Sequence, residues 1–324
     1  MPQTHARMRD AFLDAVLARM RKDDAVFFLS LDFGSPVLDI VVRDFPDRFV
    51  NVGIAEQNLI NVATGMALEG HSVVAYAIAP FLTMRCYEQV RVNLSLLSEV
   101  RRVNVTLAGV GAGLSYDVSG PSHQALEDIS IMRTLPNLEV LSPADSVSAG
   151  VMAEYCLTHT GCKYVRLDGK PLPTLYDDAT PFPDIGRGFQ ELRKGRHVCL
   201  LSTGYMTHKA LAAARCLQEQ DGVDAGVIDM FALSRFDRRE LAAALAGYRT
   251  LVTLEEAFAG RGGLDACVMN FLREEGLDVE LVSMGLPHRY SFQVGPRDAL
   301  LEAFDLGPES ILRRLREVLS RRAT

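Results

Sequence analysis

Apolar residues along this chain follow two alternating patterns. Between residues 7 and 22 they recur at the spacing of an amphipathic helix. Residues 25–31 form a short, continuous apolar run that predicts a strand, and further strands are predicted at residues 72–79 and 103–110. Short strands separated by helical segments imply right-handed crossovers. The pattern therefore predicts an α/β fold with mostly parallel sheets.

The alternation of strands and helices is interrupted once. Residues 171–188 hold four prolines followed by two glycines, which is the composition of a linker. We therefore expect two α/β domains, spanning residues 1–170 and 189–324. In the first domain, long helices are predicted at residues 81–98 and 124–134. In the second domain, strands are predicted at residues 197–202, 225–229, 250–254 and 279–283.

A single carboxylate, Glu56, stands at the head of an apolar helical segment within residues 51–70. The small and aliphatic side chains of this segment suit burial on nearly every side. Two interpretations of Glu56 stay open. It is solvated or caps the first helical turn, where the helix dipole favours negative charge. Alternatively, it is held in a dry pocket and shares a proton with a bound base.

Three side chains on the predicted helix at residues 81–98 share one face, because they are spaced three apart: Phe81, Met84 and Tyr87. Such a stripe is either part of the core or a slot that stacks a flat aromatic ring. In a slot, Met84 would adapt its shape to the ring and the Tyr87 hydroxyl would reach a polar rim.

Three further residues have the setting of a ligand contact. His123 follows a Gly-Pro turn directly before a predicted helix, where an imidazole is either structural or a polar contact for a ligand. Asp32 and Phe33 begin the turn after the strand at residues 25–31. Ligands of parallel sheets bind at the carboxyl ends of the strands.

Composition narrows the class of protein. The 324 residues are 48% hydrophobic with a formal net charge of -7, which argues against nucleic acid or an anionic membrane surface as the main partner. The start of the sequence has no signal-peptide core, and no apolar run is long enough to span a bilayer. The six cysteines form no Cys-x-x-Cys pair, so we expect reduced core thiols in a cytoplasmic protein.

Several motifs in order resemble the C-terminal half of transketolases, most closely the split form in which that half is a separate subunit. They are Gly-Ile-Ala-Glu-Gln at residues 53–57, Phe-x-x-Met-x-x-Tyr-Glu-Gln at 81–89, Gly-Pro-Ser-His-Gln-x-Leu-Glu-Asp at 120–128, Leu-Pro-Asn at 135–137, Ser-Pro-Ala-Asp at 142–145 and Gly-Arg-Gly-Gly at 260–263. The resemblance covers essentially the whole chain.

The resemblance implies a pocket for the aminopyrimidine ring of thiamine diphosphate in an active site between two chains. Glu56 matches the carboxylate that bonds ring atom N1′ and so favours the 4′-imino tautomer. His123 matches a histidine near the 4′-amino group and the substrate. Glu56 and His123 are thus the implied catalytic residues. The implied cofactor contacts are Asp32, Phe33, Glu56, Phe81, Met84 and Tyr87.

One motif of the family does not occur in this chain. Members that hold the cofactor diphosphate through a metal use a Gly-Asp-Gly motif, and the nearest triplets here, at residues 167–169 and 220–222, lack the first glycine. The resemblance therefore implies that the Mg²⁺ ligands lie on an N-terminal partner subunit that carries Gly-Asp-Gly. We expect a two-plus-two heterotetramer.

Three positions concern the sugar or sugar-phosphate substrate. Gly111 and Ser119 stand where transketolases that act on sugar phosphates usually have His and Asp facing the donor hydroxyls. The absent histidine would leave space beside Gly111. Arg166 matches an arginine that holds the acceptor phosphate, although an arginine after a strand is also common at surfaces. The expectation is two-carbon ketol transfer on a modified sugar.

Two alternatives remain open. One is the β subunit of a 2-oxo-acid dehydrogenase E1 component, which has the same two domains and the same glutamate. The other is a non-catalytic scaffold half that keeps the fold without the chemistry. The intact Glu56 and the aromatic stripe favour an enzyme.

Overall fold

The computed structural model describes residues 7–320. A first sheet of six strands has the order β2-β1-β3-β4-β6-β5, and every pairing in it is parallel. Its strands are β1 (Val26–Ser30), β2 (Phe49–Asn51), β3 (Ser72–Ile78), β4 (Asn104–Val110), β5 (Leu138–Leu141) and β6 (Cys162–Leu167). All six lie in the part of the chain that precedes the proline-rich stretch.

A second sheet of five strands has the order β11-β10-β8-β9-β7. Its strands are β7 (Phe189–Arg193), β8 (Val198–Ser202), β9 (Ala225–Met230), β10 (Thr250–Phe258) and β11 (Glu280–Leu286). All pairings are parallel except that of β7 with β9. The prediction of an α/β fold with mostly parallel sheets is confirmed.

Helices separate most of the strands. They are α1 (Met8–Met20), α2 (Pro36–Asp44), α3 (Glu56–Leu68), α4 (Tyr87–Gln89), α5 (Asp128–Arg133), α6 (Ser146–Thr158), α7 (Tyr205–Asp221), α8 (Arg238–Leu245), α9 (Leu264–Glu274), α10 (Arg297–Ala303) and α11 (Pro308–Ser320). The sequence analysis missed β7 and α10. Strand β7 follows the linker with no helix before it, and α10 is too short to show a helical period.

The helical segment predicted at residues 81–98 is present, but it is not a regular α-helix. Wide π-helical turns at Phe81–Arg85 and Val90–Leu96 flank the single short turn of α4. Two side chains donate to carbonyl oxygens that accept backbone N–H groups in a regular α-helix. The Thr83 hydroxyl donates to Ala79 O at 2.8 Å, and the Cys86 thiol donates to Leu82 O at 2.8 Å. Such side-chain bonds compete with the helical ladder and widen it.

The helix predicted at residues 124–134 is shorter than expected and begins at Asp128. Ala125 instead bridges to the strand-like segment at Ala112 and Gly113, with its N–H donating to Gly113 O at 3.1 Å. This pairing keeps Ala125 out of the helix, and residues 126–127 form a bend, so the helix begins only at α5.

The two sheets share one continuous apolar core. Leu107 and Val140 of the first sheet belong to the same buried cluster as Leu201 and Ile228 of the second.

Within the described residues 7–320, no helix is long and apolar enough to cross a bilayer. All six cysteines are free and five are buried, as interpreted from the sequence.

Five buried charged residues, here called the inter-sheet ion-pair network, join the two sheets: Asp128, Arg166, Asp168, Glu256 and Arg297. None is more than 7% exposed. Arg166 Nε donates to Asp128 Oδ2 at 2.7 Å, and Arg297 Nη1 donates to Asp168 Oδ2 at 2.7 Å. Arg297 Nε donates to Glu256 Oε1 at 2.8 Å. Because Asp168 follows β6 and Glu256 lies in β10, Arg297 neutralises one carboxylate from each half of the chain.

Replacing Arg297 with methionine is expected to lower the free energy of unfolding by about 3–5 kcal/mol, because it leaves two buried carboxylates without a cation. Urea unfolding followed by circular dichroism measures the loss. Arg316→Met is the control, since Arg316 pairs with Asp221 at 2.9 Å but is 45% exposed, and such pairs contribute about 1 kcal/mol at most. Equal losses in the two variants would contradict a structural role for the network.

Candidate active site

Glu56 is the first residue of α3 and is only 3% exposed. The chain reaches it from β2 through Gly53, whose φ of 68° turns the backbone sharply. Within residues 7–320 no backbone N–H donates to the Glu56 carboxylate, so it does not cap the helix. Its bond is to a side chain: Arg85 Nη1 donates to Glu56 Oε1 at 2.7 Å. The solvated and capping interpretations of Glu56 are therefore wrong in this structure.

The expected burial of α3 on nearly every side is also wrong. One face of the helix is exposed, and it carries Gln57, Asn58, Asn61, Gly65 and Leu68. The buried face carries Glu56, Leu59, Ile60, Ala63, Thr64 and Ala67. The carboxylate of Glu56 is thus on the side of the helix that faces the protein.

Arg85 and Phe81 enclose Glu56 from the wide turn after β3. The guanidinium carbon of Arg85 lies 4.8 Å from the centroid of the Phe81 ring, and the Arg85 side chain is 46% exposed. The next residue, Cys86, is fully buried. This burial and the nearby charge of Glu56 raise the pKa of the Cys86 thiol to about 12. A buried carboxylate, a cation and an aromatic face are thus adjacent.

His123 ends a 3₁₀ turn that follows Gly120, whose φ is 79°. The imidazole meets the Phe81 ring edge-on, with centroids 5.2 Å apart. Its Nδ1 lies 3.1 Å from the Ser122 hydroxyl. The structure therefore brings together Glu56, Phe81 and His123, which were predicted from three separate motifs.

Met84 and Tyr87 face different surroundings. Met84 is 40% exposed and borders a cavity of about 310 Å³. The cavity is also lined by Pro121, Ser122, Gln124, Glu127, Tyr290 and Phe292. The Tyr87 hydroxyl instead donates to Ile131 O at 2.9 Å and lies 2.7 Å from the Thr134 hydroxyl, at the end of α5. Met84 therefore lies beside the His123 turn, and the hydroxyl of Tyr87 is held by the fold.

Asp32 and Phe33 follow β1 at the carboxyl edge of the first sheet. Asp32 has a φ of 53°, a left-handed conformation that non-glycine residues rarely adopt outside constrained sites. Asn51, at the end of β2, donates to Asp32 Oδ1 at 3.3 Å and accepts from its backbone N–H at 3.2 Å. The Phe33 ring stacks on Tyr76, with centroids 5.0 Å apart. Both predicted residues are therefore held on the edge that carries the other candidates.

The space expected beside Gly111 does not exist. Gly111 has a φ of 106°, and a Cβ added to it would lie 2.5 Å from two carbons of the Tyr116 ring. The same ring faces His123 edge-on at 6.5 Å. Burial raises the pKa of the Tyr116 hydroxyl to about 12. The sequence analysis missed Tyr116, although it is the one aromatic residue in an irregular stretch of glycines and serines.

Ser119 is exposed, three residues after Tyr116, and its N–H donates to Tyr116 O at 3.1 Å. Arg166 is placed differently, since it is 3% exposed and belongs to the inter-sheet ion-pair network. Its Nη2 donates to Ala125 O at 2.9 Å and to Glu256 O at 3.1 Å. The structure gives Arg166 a role in holding the fold, and its contact with a phosphate stays a prediction.

Across the described range, no group of three or more His, Cys, Asp or Glu side chains is arranged to hold a metal ion. The carboxylate candidates Glu56 and Asp32 each lie beside a nitrogen donor of this chain.

Comparison with known families identifies the fold. Residues 4–168 match the transketolase pyrimidine-binding domain, and residues 188–311 match the transketolase C-terminal domain. The chain belongs to the transketolase family. Membership implies dependence on thiamine diphosphate, and the buried carboxylate beside an aromatic ring fits an aminopyrimidine.

Two relatives of this transketolase chain are separate subunits. It is 30% identical over 271 residues to a subunit of the apulose-4-phosphate transketolase of Actinobacillus succinogenes, covering 84% of this chain and 85% of that protein. It is 30% identical to the 6-deoxy-6-sulfo-D-fructose transketolase subunit SqwH of Clostridium sp. (strain MSTE9), covering 97% and 95%. These relatives are transketolases and not 2-oxo-acid dehydrogenases.

A solved structure shows the same architecture over the whole chain. It is a split-gene transketolase in an inactive beta4 tetramer, with a TM-score of 0.83 and 30% identity, covering 97% of this chain and 98% of that chain. The chain is thus a transketolase-type enzyme subunit comprising the pyrimidine-binding and C-terminal parts.

Proposed function

We propose that this chain forms the cofactor-ring half of a two-component transketolase that transfers a two-carbon ketol unit between sugars. The observation that carries the proposal is the state of Glu56. One carboxylate oxygen, Oε1, accepts from Arg85, while no residue in the range 7–320 donates to Oε2. Oε2 is not one of the fully buried atoms that lack a partner, so it is accessible and can take a hydrogen-bond partner from a ligand. An aminopyrimidine nitrogen supplies such a partner.

Each residue of the site has a role in this proposal. Glu56, through Oε2, would accept a hydrogen bond from atom N1′ of the ring. Phe81 and Met84 provide the apolar surface on which the ring stacks. His123, next to the Phe81 ring, exchanges hydrogen bonds with substrate oxygens. Thiamine diphosphate, when bound, supplies the nucleophilic carbon that carries the two-carbon unit.

A partner subunit is proposed to bind next to Glu56. Ile54, which precedes α3, is 77% exposed, and Leu96 is 58% exposed. Asn93 donates to Asn61 at 2.8 Å, so the turn at residues 90–96 and the exposed face of α3 form one surface. Exposed apolar residues on one surface are typical of interaction sites. The partner would carry Gly-Asp-Gly and the Mg²⁺ ligands, in a two-plus-two heterotetramer.

The domain division is proposed to follow the linker at residues 171–188. Strand β6 ends at Leu167 and β7 begins at Phe189. The linker is nevertheless anchored, because the buried Tyr176 donates to Asp229 Oδ2 at 2.6 Å. The two domains would therefore move as one body toward a partner.

The proposed substrate is a modified ketose. Two relatives are named for modified sugars, an apulose phosphate and a sulfo-deoxy-fructose. In this chain the Tyr116 ring takes the place beside Gly111, and the neutral Ser119 replaces an acid. The Tyr116 hydroxyl and the neutral Ser119 favour a donor sugar whose polar groups differ from those of an ordinary pentose phosphate.

The isolated chain is expected to bind thiamine diphosphate weakly or not at all, because it holds the ring but not the diphosphate. Isothermal titration calorimetry with Mg²⁺ measures binding to the chain alone and to the chain with a Gly-Asp-Gly partner. Binding should appear with the partner. Tight, magnesium-dependent binding by the chain alone would contradict the split site.

Ser119→Asp in the reconstituted enzyme is expected to raise kcat/KM for xylulose 5-phosphate by about 10- to 100-fold, because a charged hydrogen bond to a donor hydroxyl contributes about 1.5–3 kcal/mol. Val118→Asp is the matched control, since Val118 is the 71% exposed neighbour and gains the same charge. Steady-state kinetics with xylulose 5-phosphate and a panel of modified ketoses makes the comparison.

The specialised-substrate proposal fails under one combination of results. In that combination, the wild-type enzyme processes xylulose 5-phosphate with a kcat/KM of about 10⁴ M⁻¹s⁻¹ or better. In addition, Ser119→Asp changes this kcat/KM no more than Val118→Asp does. Gly111→His is not a useful variant, because the positive φ of Gly111 and the Tyr116 ring exclude the side chain.

A further inference from the structure

Glu56 is held by a residue that no motif assigned to the site. Arg85 Nη1 lies 2.7 Å from Glu56 Oε1, and within residues 7–320 this is the one salt bridge that Glu56 makes. Glu56 is 3% exposed, whereas the Arg85 side chain is 46% exposed. The pair is therefore asymmetric, with a buried anion and a cation that reaches it from the surface. A buried carboxylate that loses its cation is strongly disfavoured.

The position of Arg85 is fixed by more than the ion pair. Arg85 ends the wide turn that begins at Phe81, and its guanidinium lies over the Phe81 ring at 4.8 Å. Cations over aromatic faces are attracted by the ring quadrupole. Two candidate cofactor contacts, Glu56 and Phe81, thus share one arginine that orients both.

We propose that Arg85 is the positioning residue of the cofactor-ring pocket: it fixes Glu56 through Oε1 so that Oε2 points at the ring of the cofactor. This inference rests on the proposed function and adds a residue to it. Arg85 places a permanent positive charge against Oε1, and this charged hydrogen bond fixes the orientation of the carboxylate. Without Arg85 the carboxyl group would be free to rotate.

The first test concerns the ion pair in the chain alone. Arg85→Met should lower the melting temperature by several degrees, because Glu56 stays buried without a cation. Glu56→Gln removes the charge, so adding Arg85→Met to Glu56→Gln should cost much less than Arg85→Met alone. This double-mutant cycle isolates the pair. Additive effects of the two substitutions would show that Arg85 does not act through Glu56.

The second test measures thiamine diphosphate binding to the assembled two-subunit complex by isothermal titration calorimetry. Arg85→Met should weaken binding by about tenfold or more, because it disturbs a charged hydrogen bond. Arg85→Lys should recover part of the affinity, since one nitrogen makes the contact with Glu56. Arg316→Met, which removes an equally exposed arginine from its ion pair with Asp221 in the second half of the chain, is the control and should bind as the wild type does.

The outcomes separate this inference from the proposed function. If the wild-type complex binds the cofactor and Arg85→Met binds it equally well or more tightly, Arg85 does not position Glu56 and the inference is wrong. A loss that Arg85→Lys does not recover at all would also contradict it. If the wild-type complex binds no cofactor, the proposed function itself fails.

Discussion

Buried carboxylates and the arginines that neutralise them determine where the loop at residues 111–123 lies. Arg297 bonds Asp168 of the first half and Glu256 of the second, and its backbone N–H donates to Asp117 Oδ2 at 3.1 Å. A Cβ on Gly113 would lie 2.3 Å from Glu256 Oε2, so only glycine lets the loop lie on this carboxylate. The loop at residues 111–123 is thereby clamped between the two sheets, and it delivers His123 to the Phe81 ring.

Much of this arrangement could be predicted from the sequence, because it depends on local patterns. Short apolar runs indicated the strands, and Glu56 was placed correctly at the head of its helix. The roles of Arg85 and Arg297 could not be predicted. Arg85 is 29 residues from Glu56, and Arg297 is 129 residues from Asp168, so no local pattern reveals either ion pair. The wide turns after β3 depend on side-chain bonds to carbonyls, which periodicity does not detect.

A match to a family motif assigns a position and not a contact. Arg166 stands where a phosphate ligand was expected, yet its guanidinium is enclosed and bonds Asp128. Gly111 stands where sugar-phosphate transketolases usually have a histidine, and the space beside it is filled by Tyr116 from five residues further along the chain. In both cases the contacts within this chain could not be read from the motif position alone. Substrate specificity in this family therefore has to be interpreted from neighbouring side chains as well as from the motif positions.

Glu56 is proposed to activate the ring of thiamine diphosphate in a site completed by a second subunit. The most direct measurement is the rate at which the C2 hydrogen of the bound cofactor exchanges for deuterium in the assembled complex. Glu56→Gln keeps the size and a hydrogen bond but removes the ionisable group, so exchange should slow by about 10²- to 10⁴-fold with the fold unchanged. Exchange at nearly the wild-type rate would contradict the account.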